Sequence, residues 1–130
     1  MPHRVICKHN DYVTSIALGA IEGAPVVISG SWDKTLRRWD ARTGEPIGEP
    51  LEGHTDLVSA VALGAIDGEP VIVSGSRDGT IRRWDAHGGE RGQITIGDPV
   101  VSICTDNSTS VIVGLDRGIV LFEFLSMQQK

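Results

Sequence analysis

Residues 54–86 read HTDLVSAVALGAIDGEPVIVSGSRDGTIRRWDA, and residues 9–41 read HNDYVTSIALGAIEGAPVVISGSWDKTLRRWDA. The two stretches align without a gap at an offset of 45 residues (54 − 9 = 45), and 21 of the 33 aligned pairs are identical. Self-similarity at this period is typical of proteins that stack repeats or arrange them in a ring. The repeat therefore decides the fold class, and such arrays usually serve as binding surfaces.

Each copy reads as four short strands joined by tight turns, with no helical period. In the second copy we predict strands at Val58–Leu63, Val71–Val73, Ile81–Asp85 and Gln93–Ile96. The matching strands of the first copy are predicted at Val13–Leu18, Val26–Ile28, Leu36–Trp39 and Ile47–Leu51. A degenerate third copy follows, with strands at 100–103, 111–114 and 119–124. The prediction is an all-β protein built from four-stranded antiparallel meanders.

Composition and charge narrow the class of protein. The chain has 130 residues, 40% of them hydrophobic, which fits a globular domain, and a net charge of −5 argues against a nucleic-acid partner. No apolar run reaches the length of a membrane span, and no secretion signal opens the chain, so a cytoplasmic location is expected. Cys7 and Cys104 share no metal-ligand spacing and are predicted to be buried free thiols. No metal or cofactor site is predicted.

One motif resembles a known family. Gly53-His54, Ser74-Gly75-Ser76 and Asp78-Gly79-Thr80-Ile81-Arg82-Arg83-Trp84-Asp85 look like the signature of the WD-repeat (WD40) β-propeller family. The first copy has Lys8-His9 in place of Gly-His, and the third copy lacks both Gly-His and Trp-Asp. The resemblance covers nearly the whole chain and implies propeller blades, each a four-stranded antiparallel sheet, about three per chain.

The resemblance also implies a buried hydrogen-bonded chain within each clear repeat. Its members would be His54, Ser74, Asp78 and Trp84 in the second copy, and His9, Ser29, Asp33 and Trp39 in the first. Ser31 or Ser76 is an alternative hydroxyl, because residues two apart share a strand face. Ser, His and Asp together also invite a hydrolase interpretation. A set that recurs in each repeat and includes Trp favours a structural role instead, so the chain is not expected to be an enzyme.

Counting blades predicts how the chain is organised. Residues 1–130 are interpreted as one partial β-propeller, with repeats at about 9–53, 54–97 and 98–125, and residues 1–8 as a strand that closes the last blade. Three blades do not close, since propellers typically have four to eight. Two chains would give a six-bladed homodimeric ring with exchanged terminal strands. The alternative is a C-terminal fragment of a larger multidomain WD-repeat protein.

The leading functional hypothesis is a non-catalytic scaffold that binds a protein or peptide. In the family, partners commonly bind the loops before strand one and between strands two and three. At those positions this chain has Asn10, Tyr12, Trp32, Thr55, Leu57 and Arg77. A small-molecule or glycan-binding propeller is the alternative, as is a remnant without a separate role. Arg38 and Arg83, where the family usually has an aliphatic residue, are expected to pack their stems and extend their charged ends to water or a nearby Asp; a basic rung for a partner is the other possibility.

Overall fold

In a computed structural model, residues 9–105 and 110–123 are described, and they contain ten strands in three antiparallel sheets. The strands are β1 (Val13–Ile21), β2 (Ala24–Ser31), β3 (Leu36–Asp40), β4 (Val58–Ile66), β5 (Glu69–Ser76), β6 (Thr80–Asp85), β7 (Glu90–Thr95), β8 (Val100–Thr105), β9 (Ser110–Leu115) and β10 (Ile119–Glu123). The predicted all-β class and meander order are confirmed. The predicted strand at residues 1–8 and the strand end at Phe124 lie outside the described residues. None of the described residues forms a helix able to span a membrane.

Each sheet, hereafter a blade, falls within one sequence repeat. The first blade has the order β1-β2-β3, the second β4-β5-β6-β7 and the third β8-β9-β10. The first two strands of the second blade are longer than predicted, because Gly64 and Ala65 continue β4. The chain reverses only at Asp67-Gly68, where both residues have positive φ values of 50° and 80°. Two such residues form the tight hairpin turn that matches the twist of antiparallel strands.

The predicted fourth strand of the first blade, Ile47–Leu51, is wrong as a regular strand. The segment touches β3 only through isolated bridges, Leu36 to Leu51 and Trp39 to Pro46. Pro46 and Pro50 have no backbone N–H to donate, and Gly48 has a φ of 69° that bends the chain out of extended geometry. Among the described residues, only the second blade has four complete strands.

The blades pack through their first strands, because β4 lies against both β1 and β8. Two apolar clusters fill the seams. The seam between the first and second blades includes Ile28, Leu36, Val58 and Val61, and the seam between the second and third is listed as Val71, Val73, Ile81, Val100, Val111 and Val113. Apolar area removed from water at these seams is what stabilises an array of blades.

Glycines on the second strand of each blade allow this close approach. A Cβ atom at Gly30 would lie 2.6 Å from Val58 Cγ1, and one at Gly75 would lie 2.4 Å from Val100 Cγ1. Each glycine is therefore a socket for a valine of the next blade. The prediction that Cys104 is buried is wrong. Its side chain lies on the exposed face of β8, and it is an exposed free thiol. Cys7 lies outside the described residues.

Candidate functional site

The second blade holds a chain of side-chain hydrogen bonds that links its loops to its third strand. His54 Nδ1 lies 3.0 Å from Asp78 Oδ2, and His54 Nε2 lies 2.7 Å from Ser74 Oγ. Trp84 Nε1 donates to the same Ser74 oxygen at 2.9 Å. The chain therefore runs Asp78–His54–Ser74–Trp84 and joins the segment before β4 to β5, the β5–β6 turn and β6.

Donor and acceptor counting fixes the direction of every bond. The Asp78 carboxylate only accepts, so His54 Nδ1 carries the proton that it donates. Indole N–H only donates, so Ser74 Oγ accepts from Trp84. A neutral imidazole that is protonated at Nδ1 has a bare Nε2, so His54 Nε2 accepts the hydrogen bond that the Ser74 hydroxyl donates. This arrangement satisfies each member with a neutral imidazole.

Ionisation of the pair follows from its surroundings. Burial lowers the pKa of His54, and this effect outweighs the hydrogen bond and charge of Asp78 that raise it. Burial alone would raise the pKa of Asp78, but donors from Thr80, Thr55 and His54 together outweigh it and lower the pKa to about 2. At neutral pH the pair is a carboxylate that accepts a hydrogen bond from a neutral imidazole.

The first blade repeats this geometry. His9 Nδ1 lies 3.0 Å from Asp33 Oδ2, and His9 Nε2 lies 2.6 Å from Ser29 Oγ. Trp39 Nε1 donates to Ser29 at 2.9 Å. Hydrogen bonds from Thr35, Asn10 and His9 lower the pKa of Asp33 although its burial acts in the opposite direction. The structure thus brings together all eight residues proposed for the two networks.

The alternative hydroxyls serve the neighbouring turn instead. Ser76 Oγ donates to Leu57 O at 2.7 Å and accepts from Asp78 N at 3.0 Å. Ser31 Oγ accepts from Asp33 N at 3.0 Å. These two serines position the aspartates without entering the networks.

In the third blade three of the four network positions are apolar, and Arg117 stands at the position of Asp78. Strand register aligns Val100 with Val58 and Gly114 with Gly75, which places Ile96, Val113 and Phe122 where the second blade has His54, Ser74 and Trp84. All three belong to the apolar seam of the second and third blades. Hydrophobic packing therefore replaces hydrogen bonding in this blade.

In each network the residues are hydrogen-bonded in the sequence Asp–His–Ser, as in a catalytic triad, but a substrate cannot reach the serine. Ser74 is fully buried, and the His54 side chain has 0% exposure. Ser74 Oγ also accepts a hydrogen bond from Trp84 Nε1. A nucleophile must reach the reacting atom, so Ser74 and its counterpart Ser29, also fully buried, are structural in this conformation.

The exposed end of the molecule next to these networks is the loop face, formed by the segments before β1, β4 and β8 and the turns β2–β3, β5–β6 and β9–β10. Tyr12 and Trp32 lie there, with ring centroids 5.0 Å apart in an edge-to-face arrangement. They remain 68% and 47% exposed. Trp32 N donates to Tyr12 O at 2.9 Å, which ties the two loops together. The pair is a preformed aromatic surface.

The remaining residues proposed for partner binding lie on the same face. Asn10, Thr55 and Arg77 are exposed, while Leu57 is half-buried. Asn10 N and Thr55 N each donate to a network aspartate, at 3.1 and 3.0 Å respectively. The buried networks therefore hold the backbone of the loops that carry the exposed side chains.

Sequence reasoning missed a cleft on the loop face of the third blade. Its volume is about 380 Å³, and its lining is Asp98, Pro99, Leu115, Asp116, Arg117 and Gly118. The sequence signal at this place is the alignment of Asp116-Arg117-Gly118 with the β5–β6 turn of the second copy, and it predicts a turn but not a cavity.

The arginines divide between two roles. Arg38 is only 6% exposed, and its Nη1 donates to Ala86 O of the second blade at 2.8 Å. Burial lowers its pKa, and the charge of Asp85 partly offsets this effect. Arg38 therefore links the first blade to the second. Its charged end donates to a backbone carbonyl, so the expectation that this end extends to water or a nearby Asp is wrong for Arg38. Arg82 pairs with Glu90 at 2.8 Å.

No group of metal-ligating side chains is present among residues 9–105 and 110–123. The family model described as "WD domain, G-beta repeat" matches residues 2–40 and 44–85. Both matched segments end at the Trp-Asp dipeptide of a clear repeat. No curated protein matches the chain.

Proposed function

The chain belongs to the WD40 repeat family, and we propose that it is a non-catalytic scaffold that binds a protein or peptide through its loop face. Repeats of this family generally mediate protein–protein interaction. The two Ser-His-Asp sets support a scaffold over a hydrolase, because their serines are fully buried and bonded to tryptophan.

The exposed Tyr12–Trp32 pair carries the proposal. Tyr and Trp are the residue types most enriched at binding hot spots, since each buries a large area with few rotatable bonds. Hydrogen bonding between the two loops holds the pair in place before a partner arrives. Preorganisation of this kind lowers the entropic cost of association.

The chemistry of the loop face differs from blade to blade. The position held by Trp32 in the first blade is Arg77 in the second and Asp116 in the third. A glycan-binding propeller would be expected to repeat one pocket per blade, whereas one extended partner can contact an aromatic, a cation and a carboxylate in turn. The sequence of side chains therefore supports a protein or peptide over a small molecule.

The proposal includes an assembly and a location. Three blades are fewer than the four to eight of typical closed propellers, so we propose that the scaffold works in a six-bladed ring of two copies. Missing blades supplied by a longer chain are the alternative. An exposed, unpaired Cys104 suits a reducing compartment, and we propose the cytoplasm.

Site-specific photocrosslinking tests the binding proposal. A photoreactive residue at Thr55 lies on the loop face, whereas one at Asp67 lies at the opposite end of β4. We expect discrete protein adducts from Thr55 that disappear in the Tyr12→Ala/Trp32→Ala variant and persist in a Gln93→Ala control on exposed β7. Identical adducts from both positions, or adducts indifferent to loss of the aromatic pair, would exclude the loop face as the binding surface.

A further inference from the structure

The leading face of the first blade exposes side chains that the other blades bury. Val13 is 44% exposed, while its counterparts Val58 and Val100 are 0% and 1% exposed. Ile16 is 67% exposed, and its counterpart Val61 is 5% exposed. Val58 and Val61 are covered by the blade that precedes them. The first blade therefore presents a formed blade-packing surface with no blade against it among the described residues.

The trailing face of the third blade is open in the same way. Ile119 is 78% exposed, while Leu36 and Ile81, at the same register position, are both 0% exposed. Ile112 and Leu121 on this face are 37% and 64% exposed. Apolar surface that is buried at two seams and exposed at a third position marks an interaction site.

The socket on the trailing face is also present. Gly114 occupies the register position of Gly30 and Gly75, which receive Val58 and Val100 of the following blade. The three atoms nearest to a Cβ at Gly114 all belong to Ser102 of its own blade. Ser102 Oγ lies 2.5 Å from that Cβ position, and no valine of another blade approaches it as one does at Gly30 and Gly75. Gly114 is thus the counterpart of the two glycines that receive a valine, with no neighbouring blade against it among the described residues.

We infer that Val13 and Ile16 of one copy dock on Gly114, Ile112 and Ile119 of a second copy, and that the reciprocal contact closes a ring. The inference rests on the proposed ring and names its surfaces. A second copy is the occupant because it carries both halves of a contact that this chain already makes twice internally. Two copies give six blades, whereas three copies would give nine, outside the usual range.

This seam between copies has its own chemistry. At the internal seams a hydroxyl crosses between blades, Thr14 to Val58 O and Ser59 to Val100 O. The third blade has Val101 at that position, and Val101 is 51% exposed. Leu121 likewise stands where Arg38 reaches across to the next blade. At these two positions the seam between copies has apolar side chains in place of the polar ones that cross the internal seams, so high salt is not expected to dissociate it.

Light scattering on the full chain behind a sizing column tests the inference. One chain is 13.9 kDa, so we expect 27.8 kDa for the wild type, twice that mass. Ile16→Glu should shift the mass to 13.9 kDa with unchanged circular dichroism, because Ile16 is exposed in the single chain. Tyr12→Glu is the matched control, equally exposed at 68% but on the loop face, and should remain dimeric.

A mixing experiment separates loss of the seam from loss of folding. The variants Ile16→Glu and Ile119→Lys each retain one intact face, so their mixture can form one wild-type seam and one seam with opposite charges. We expect 27.8 kDa for the mixture and 13.9 kDa for each variant alone. A folded wild-type monomer, an open ladder of larger species, or a dimer unaffected by both variants would overturn the inference. Loss of crosslinking in a dimeric Tyr12→Glu variant would report on the loop face alone.

Discussion

Replacing Ser74 by alanine should destabilise the second blade by far more than the loss of one small side chain. Ser74 Oγ accepts from Trp84 Nε1 and donates to His54 Nε2, and all three side chains are buried. The variant leaves an indole N–H and an imidazole nitrogen without partners. At about 1–3 kcal/mol for each buried polar group left unsatisfied, the free energy of unfolding should fall by roughly 2–6 kcal/mol.

Urea denaturation followed by circular dichroism measures this loss, with Thr95→Ala on exposed β7 as the control. The third blade supplies a second, stricter comparison, because it carries Ile96, Val113 and Phe122 at the network positions. The triple variant His54→Ile/Ser74→Val/Trp84→Phe removes three polar side chains together, and Asp78 keeps its hydrogen bonds from Thr55 and Thr80. Replacing both partners of a buried hydrogen bond by apolar groups is often nearly neutral when shapes match. It should be more stable than Ser74→Ala. A loss below ~1 kcal/mol for Ser74→Ala, or a triple variant that loses the sum of the single changes, would refute the reasoning.

Two further perturbations follow from the same contacts. Acid should destabilise the protein in two stages. Below about pH 6.5, His54 is protonated in the unfolded chain but stays neutral in the folded protein, because its folded pKa is lowered. Between pH 3.8 and about 2, Asp78 is protonated in the unfolded chain while it stays ionised in the folded protein. The second stage is worth about 2 kcal/mol, measured as urea midpoints across pH, and a stability that rises on acidification contradicts the assignment. Gly75→Ala should lower the free energy of unfolding by about 1–3 kcal/mol, because the added methyl group overpacks against Val100. The control Gly118→Ala has open space around it and should change thermal stability little. Equal effects of the two substitutions would exclude the close packing of Val100 on Gly75.

The fold could be predicted from the repeat, because residues at matching positions of the two clear copies have the same structural role. A period of 45 residues and alternating apolar residues located every strand of the second blade to within a few positions. The fourth strand of the first blade was predicted wrongly, since a run that includes Ile47 and Leu51 looks like a strand. Pro46, Gly48 and Pro50 override that tendency, because the prolines cannot donate to a ladder and the glycine turns the chain.

The networks could be located from the resemblance, but the choice of hydroxyl required coordinates. Ser74 and Ser76 lie on one strand face, and only the distances show that Ser74 meets the histidine. The exposed apolar faces of the first and third blades could not be predicted from the sequence. Ile16 and Val61 are chemically alike, and they differ only in whether another blade packs against them. Exposure is a property of the array, which a single repeat does not encode.

The central claim is that each Ser-His-Asp set stabilises its own blade from within, while binding occurs on the surface. Its most direct test is labelling with a serine-reactive fluorophosphonate followed by mass spectrometry. Both serines are fully buried, and each is bonded to a tryptophan. We predict no adduct on Ser29 or Ser74 of the folded protein under conditions that fully label a serine hydrolase. A stoichiometric adduct on Ser74 that is lost in His54→Ala would contradict the account and identify a reactive nucleophile.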